Sequence, residues 1–234
     1  MMTEFSGKVA LVANAGSTIG QAIVRRLIAD GAMVMAAGGD GTRSCRLDVA
    51  TQSSWETALA DTVTAFGRLD ILVTVATAKY AVPKTIAETD LAEFQSVNAQ
   101  NLEGAFLGLR FGIVKMRELG HGGAVINVAS ALATIGVPGQ AAYGASANGI
   151  RMMTRAAALS CADAKDRIRV NAVQVGSISG APESDILPTM AKNLSHVLSG
   201  TAADVAAAVA FLASDRASYI TGMILPVDGG LLAA

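Results

Sequence analysis

Short runs rich in valine, isoleucine and alanine alternate along this chain with segments of helical spacing. Seven such runs stand out, at 9–13, 33–37, 45–49, 71–75, 124–128, 169–173 and 223–227. Strand and helix in strict alternation specify an α/β fold with a parallel, doubly wound, Rossmann-type sheet of seven strands, because parallel neighbours must be joined by a crossover. Helices then cover both faces of the sheet, so its strands need apolar residues on both sides. The composition agrees, with 52% hydrophobic and 16% charged residues. After the first run, Ile19, Ile23 and Leu27 recur at helical spacing and Asp30-Gly31 supplies a stop. Leu102, Phe106, Leu109 and Ile113 predict a long helix over 99–118, and an alanine-rich helix is expected over 143–164. Between the second run and Asp48 stand only Gly38-Gly39-Asp40-Gly41-Thr42-Arg43 and the start of the third strand. That is too short for a crossover helix, so a loop and a more open pocket rim are expected there. At 234 residues the whole chain, 1–234, reads as one domain.

Charge and composition exclude several classes. A formal net charge of −1 leaves no basic stripe, so nucleic acid is not an expected partner. Cys45 and Cys161 are too few and too far apart for a disulfide framework or a metal site, and read as small core hydrophobes in a reducing compartment. His121 and His196 have no matched partners and read as loop or solvent-facing residues, and Met152-Met153 as packing. The uncharged stretch 122–150 is broken by Gly, Ser, Asn and Pro138, so no membrane span is expected. The first strand follows a few polar residues with no basic and apolar leader ahead of it, which predicts a soluble, cytoplasmic protein.

Two residues point to chemistry. Ser130 and Tyr143 lie thirteen positions apart across a Gly/Pro turn at 136–140, and Tyr143 opens the sequence Tyr143-Gly144-Ala145-Ser146-Ala147. This arrangement resembles the Ser … Tyr-x-x-x-Lys signature of the short-chain dehydrogenase/reductases, with alanine at the lysine position. Nearly the whole chain shares the likeness. Asn101-Leu102-Glu103-Gly104-Ala105-Phe106 is similar to the family's Asn-Leu-x-Gly-x-Phe stretch, and Arg169-Val170-Asn171-Ala172-Val173 precedes what is normally a Pro-Gly turn, here Val175-Gly176. The segments Ala217-Ser218-Tyr219-Ile220-Thr221-Gly222 and Val227-Asp228-Gly229-Gly230 resemble the family's final strand and dimer edge.

The resemblance implies an NAD or NADP cofactor, a small-molecule substrate, and association as a dimer or tetramer through the helices over 99–118 and 143–164. It also implies roles: Tyr143 as proton donor or acceptor, Ser130 as the substrate-oxygen anchor, and Asn101 bending a helix and supporting a proton relay. A free phenol has a pKa of about 10, and the family's lysine lowers it. Without that cation, a tyrosine at its ordinary value loses roughly a thousandfold in base catalysis at neutral pH, or about 4 kcal/mol. Arg151 is the nearest cation in the helix, but eight residues on it stands about 12 Å along the axis.

The cofactor side departs from the family pattern. Where the phosphate loop normally reads Thr-Gly-x-x-x-Gly-x-Gly, this chain has Ala13-Asn14-Ala15-Gly16-Ser17-Thr18-Ile19-Gly20. Asn14 tolerates positive φ, Thr18 is expected to cap the following helix, and Gly20 keeps its place. Asn14, Ser17, Thr18, Ile19 and Gly20 are thus the candidate phosphate cradle. The Asn-Asn-Ala-Gly motif is replaced by Thr74-Val75-Ala76-Thr77, retaining Ala76. The ribose-selecting acidic position is Gly38, with Asp40 two residues on, and no arginine favours NADP, so NAD is slightly favoured. Asp48 and Val49 match the adenine edge, and Gly176 the nicotinamide side.

Three readings of function follow. The first is weak hydride transfer between NAD(P)(H) and a carbonyl or secondary alcohol. The second is a catalytically silent or non-redox member, binding a ligand or serving as a structural subunit beside an active paralogue. A halohydrin-dehalogenase-like reuse of Ser130 and Tyr143 is third, and Ala147 weighs against it because those enzymes keep a cation there.

Overall fold

The computed structural model describes residues 3–39, 43–76, 84–180 and 199–233, the side chain of residue 132 excepted. Seven parallel strands are joined in one sheet: β1 (Val9–Ala13), β2 (Met33–Ala37), β3 (Ser44–Cys45), β4 (Ile71–Val75), β5 (Gly123–Ser130), β6 (Ile168–Val175) and β7 (Ile224–Val227). Their spatial order is β3-β2-β1-β4-β5-β6-β7. The order reverses direction between β1 and β4, and an open α/β sheet binds ligands beyond the carboxyl ends of its strands at such a switch.

The two faces follow from period-two alternation along the strands. Ala10, Val12, Ile71, Val73, Ile126 and Val128 turn toward α1 (Thr18–Ala29) and the last helix, here α6 (Ala202–Ala213). Leu11, Ala13, Leu72 and Val125 turn the other way, toward α2 (Gln52–Phe66), α4 (Gly104–Leu119) and α5 (Ala141–Ala164). Close approach of α4 depends on glycines a turn apart. A Cβ at Gly108 would stand 2.7 Å from the Thr74 methyl, and one at Gly112 would stand 2.2 Å from a Leu72 methyl.

Several boundaries differ from the sequence reading. The third strand is only Ser44–Cys45, shorter than 45–49, because its partner β2 ends at Ala37 and the chain turns at Gly38, whose φ is 71°. After that point the Asp48 carboxylate accepts from the Ala50 amide (3.1 Å) and the Thr51 hydroxyl (2.9 Å), forming the turn that starts α2. Central strands β5 and β6 are longer than predicted, since each has a partner on both sides, and Ser130 pairs with Val175 at their shared end. β7 starts one residue later than predicted, at Ile224, and carries Pro226 on an edge, where a missing N–H is tolerated.

The helix expected over 99–118 starts earlier, as α3 (Leu91–Asn98) capped by Asp90, and reaches Leu119. Between α3 and α4 lies a π-helical turn, Ala99–Glu103, which contains Asn101. α5 starts two residues ahead of the expected 143, at Ala141, and ends at Ala164 as expected. Among the described residues no helix lies between β2 and β3, in keeping with the loop crossover.

Candidate active site

The loop after β1, where a phosphate cradle is expected, turns at a non-glycine residue. Asn14 adopts a left-handed backbone, φ 55°, where glycine is the default, and its side-chain Nδ2 donates to the Val75 carbonyl at 2.6 Å. The loop after β1 is thereby tied to the end of β4, across the switch point. Gly20 is sterically required, because a Cβ there would stand 2.3 Å from the Asn14 oxygen. The helix cap is Ser17, not Thr18: the Ser17 hydroxyl accepts from the Gly20 amide at 3.0 Å. Thr18 has moved into the first turn, and its hydroxyl donates to the Gly180 carbonyl at 3.4 Å. Thr18 and Ile19 contribute the first two amides of α1, a position whose N–H groups lack intrahelical acceptors and suit an anion.

Gly38 and Gly39 explain the missing acidic selector. Gly38 is left-handed, and a Cβ at Gly39 would lie 2.5 Å from the Gly16 amide nitrogen, so a side chain at either position strains this turn. Asp40 and Thr77 lie outside the described residues.

Ser130 ends β5, and Tyr143 stands in the first turn of α5 with 4% exposure. They meet Ile19, Ala76 and Gly176 around one gap of ≈ 20 Å³ at the carboxyl ends of the strands. An adjoining gap of ≈ 10 Å³ brings together Asn14, Val49, Ala76 and Asn101. Eight of the expected site residues therefore converge on two neighbouring spaces. Each is far smaller than the few hundred Å³ typical of a small-molecule pocket, and residues 77–83 and 181–198 lie outside the described residues. Asp48 stands apart from both gaps, with its carboxylate committed to the turn before α2.

Residues 12–232 match the family described as enoyl-(acyl carrier protein) reductase, and full-length relatives share at least 30% identity. The chain belongs to the short-chain dehydrogenase/reductase family. A 2,5-dichloro-2,5-cyclohexadiene-1,4-diol dehydrogenase of Sphingobium indicum is 33% identical, covering 98% of each chain. An NADP-dependent (R)-specific alcohol dehydrogenase of Lentilactobacillus kefiri is 32% identical over 100% of both chains. A cis-4-hydroxycyclohexanecarboxylate dehydrogenase of Sinomonas cyclohexanicum is 36% identical, again over 100% of both. Among solved structures, a short-chain dehydrogenase/reductase from Burkholderia xenovorans superposes with a TM-score of 0.87 at 32% identity, covering 99% of each chain. Oxidoreductase chemistry with a nicotinamide cofactor is the general activity of such relatives.

Within this short-chain dehydrogenase/reductase frame, two buried polar networks escaped the sequence reading. In the first, Asn101 Nδ2 donates to Ser146 Oγ at 3.2 Å, and the Ser146 hydroxyl donates to the Tyr143 carbonyl at 2.8 Å. The π turn aims Asn101 at α5, and such turns recur at functional sites. In the second, the Thr74 hydroxyl donates to Asn127 Oδ1, while Asn127 Nδ2 donates to Thr154 Oγ1 at 2.9 Å. The clue was available: Ser146 and Thr154 share the helical face of Tyr143, which a run of polar residues makes unusual for a buried stripe. Ala147 lies on that face too, 2% exposed. Arg151 Nη1 donates to the Ala133 carbonyl at 3.4 Å, while its buried Nε and the Gln140 Nε2 have no hydrogen-bond partner among the described residues.

The remaining candidates behave as inert structure. Burial, with smaller contributions from nearby carboxylates, pushes both cysteine thiols up to about 11, so they stay protonated at neutral pH. No cluster of three or more metal-ligating side chains exists among the described residues. His121 is an exposed loop residue, whereas His196 and most of segment 177–199 lie outside the described residues. No helix is long and apolar enough to cross a membrane among the described residues.

Proposed function

We propose that this chain is a weakly active short-chain oxidoreductase, moving a hydride between NAD(H) or NADP(H) and a carbonyl or secondary alcohol. One observation carries the reading: Ser130, Tyr143, Ile19, Ala76 and Gly176 converge on a single gap beside the topological switch. The loop also suits a dinucleotide's pyrophosphate, given the left-handed Asn14, the close approach at Gly20 and the first-turn amides of α1. When bound, the nicotinamide supplies or accepts the hydride. Ser130 hydrogen-bonds the substrate oxygen, and the Tyr143 hydroxyl passes it a proton during reduction. Asn101, through Ser146, holds the α5 turn that presents Tyr143. Reduction is less impaired than oxidation by Ala147, because a protonated phenol is already the required acid. Gly38 and Gly39 leave NAD discrimination to Asp40 and its neighbours, with NAD slightly preferred.

Two of these relatives are named for dehydrogenation of alicyclic alcohols, so that class heads the substrate panel. A homodimer or homotetramer in the cytoplasm is part of the same reading. It is supported by Phe106 and Val114 on α4 and Met152 and Leu159 on α5, all exposed apolar side chains on the two expected helices.

A silent subunit or ligand-binding member is the second reading, favoured by the narrow gaps and the buried Ala147. Calorimetric titration with NAD(H) and NADP(H), followed by turnover on alicyclic ketones and alcohols, separates the two. The first reading expects a dissociation constant above about 1 µM and measurable ketone reduction. Absence of any cofactor binding establishes the second.

A further inference from the structure

At the amino ends of the strands, opposite the catalytic edge, the sheet opens into a cleft of ≈ 750 Å³. Its floor is apolar, with Phe5, Ile71, Ala124 and Ile168 all buried. The rim carries Lys8, Lys165 and Arg167, with His121 beside them. Three carboxylates at this end are already engaged. Asp70 is held by Arg68 through two short contacts of 2.6 and 2.7 Å, Glu4 by Arg216 at 2.7 Å, and Asp166 by Arg117 at 2.6 Å. A fourth, Asp215, is exposed at the rim, while the neighbouring Arg169 guanidinium, whose pKa burial lowers, is spent on carbonyls at the end of α6, among them Leu212 at 2.7 Å. Lys8 reaches Asp70 only at 3.9 Å, and Lys165 and Arg167 have no carboxylate within reach among the described residues.

The backbone under these cations is strained. Among the described residues three non-glycine positions have positive φ: Asn14 in the phosphate loop, and Lys165 (55°) and Arg167 (60°) at this rim. Glycine or asparagine is the usual choice there; Lys165 is the left-handed C-cap of α5, its amide donating to the Ala162 carbonyl at 3.2 Å. The Arg167 carbonyl accepts from the Gly123 amide at 3.2 Å and its Nη2 donates to the Gly120 carbonyl at 3.0 Å, so the turn is braced from both sides.

We propose that this cleft is a second binding site, for an amphipathic organic anion whose carboxylate meets Lys8, Lys165 and Arg167 and whose apolar body lies in the cleft against the fully exposed Tyr219 ring. The test uses sodium octanoate as probe and octan-1-ol as its uncharged counterpart, read by calorimetry and by amide chemical shifts of the full-length protein. Octanoate is expected to shift Gly122, Lys165, Arg167 and Ile168, leaving Ser130 and Gly176 unmoved, and to bind more weakly as salt rises. Lys165→Gly and Arg167→Gly should each raise the dissociation constant about tenfold. Both should hold or raise the melting temperature, because glycine relieves the left-handed backbone. Lys8→Gln, which leaves that turn intact, should weaken binding in the same direction. Equal binding of octanol, unchanged affinity in the variants, or shifts confined to the catalytic edge would each overturn the site.

Discussion

The two ends of the sheet divide space and charge in opposite ways. At the carboxyl end the expected catalytic and cofactor residues surround gaps of ≈ 20 and ≈ 10 Å³, and Ala147, at the position where the resemblance expects a cation, is buried. At the amino end a cleft of ≈ 750 Å³ is rimmed by Lys165 and Arg167, which have no carboxylate partner among the described residues, and by Lys8, 3.9 Å from Asp70. A family likeness directs attention to the first end, because its motifs lie there. Physical inspection finds volume and uncompensated charge at the second. The difference teaches that motif retention records where a site is housed, whereas binding capacity depends on room and on groups still needing a partner.

The sharpest way to break this comparison is Tyr143→Phe. If the carboxyl end still turns over, losing the phenolic proton should lower ketone reduction by about 10²–10⁴-fold. Steady-state rates at saturating cofactor check it, and an unchanged rate moves the chemistry to other residues. Octanoate binding at the amino end should be unaffected by the same substitution.

Next in size is Asn127→Ala, which tests whether the carboxyl end is held by its polar network. Asn127 is fully buried and joins Thr74 on β4 to Thr154 on α5. Removing it takes the acceptor from the buried Thr74 hydroxyl, while Thr154 still donates to the Ile150 carbonyl at 2.8 Å, and leaves a small cavity, a loss of about 3 kcal/mol. A denaturant midpoint shifted by less than a third of that would mean the network relaxes onto water.

Ala147→Lys sharpens the same end. Forcing a long side chain into a site of 2% exposure should cost about 1–3 kcal/mol. Where cofactor binds, alcohol oxidation at pH 7 should nevertheless rise by one to three orders of magnitude, on the order of the deficit expected for an un-ionised phenol. Ketone reduction should rise less. A flat oxidation rate with cofactor demonstrably bound would show that phenol ionisation is not limiting.

The fold was legible because strand periodicity, helix spacing and stop signals all agree on one architecture. Five residues of β1 and five of β4 fall where the apolar runs predict them. What escaped was decided by pairing and side-chain geometry. β3 is short because β2 runs out, the π turn at Ala99–Glu103 has no signal in apolar spacing, and Ser17 rather than Thr18 caps α1 through a hydroxyl whose reach only coordinates reveal. At the site, Ser130 and Tyr143 could be named from the resemblance of their spacing to the family signature. Their supporting networks could not, since Asn101 meets Ser146 across 45 positions and Thr74 meets Asn127 across 53. The amino-end cleft has no motif at all: Lys8, Lys165 and Arg167 come together only because β1 and β6 begin at the same edge.

Helix α6 spans both ends and offers the smallest, cleanest contrast. Its last carbonyls receive the Arg169 guanidinium, which is largely withdrawn from water, whereas its first turn is held by a surface capping box in which Asp204 accepts from the Thr201 amide and hydroxyl, both at 2.7 Å. Those hydrogen bonds, first from the hydroxyl and then from the amide, favour the ionised carboxylate and lower the Asp204 pKa from 3.8. A carboxylate depressed on folding adds stability that is fully present above its unfolded value of about 3.9 and fades as pH falls through the lower folded value. Asp204→Ala should therefore lower the melting temperature slightly at pH 7 and by progressively less as pH falls below about 4 through the lower folded value, where the wild-type carboxylate takes up its proton. Arg169→Leu should instead cost more at every pH, because it strands buried carbonyls rather than removing a solvent-screened cap. Thermal melts of both variants between neutral and acid pH check the pair, and equal losses at pH 7 would mean that the amino end is no better buried than the carboxyl end.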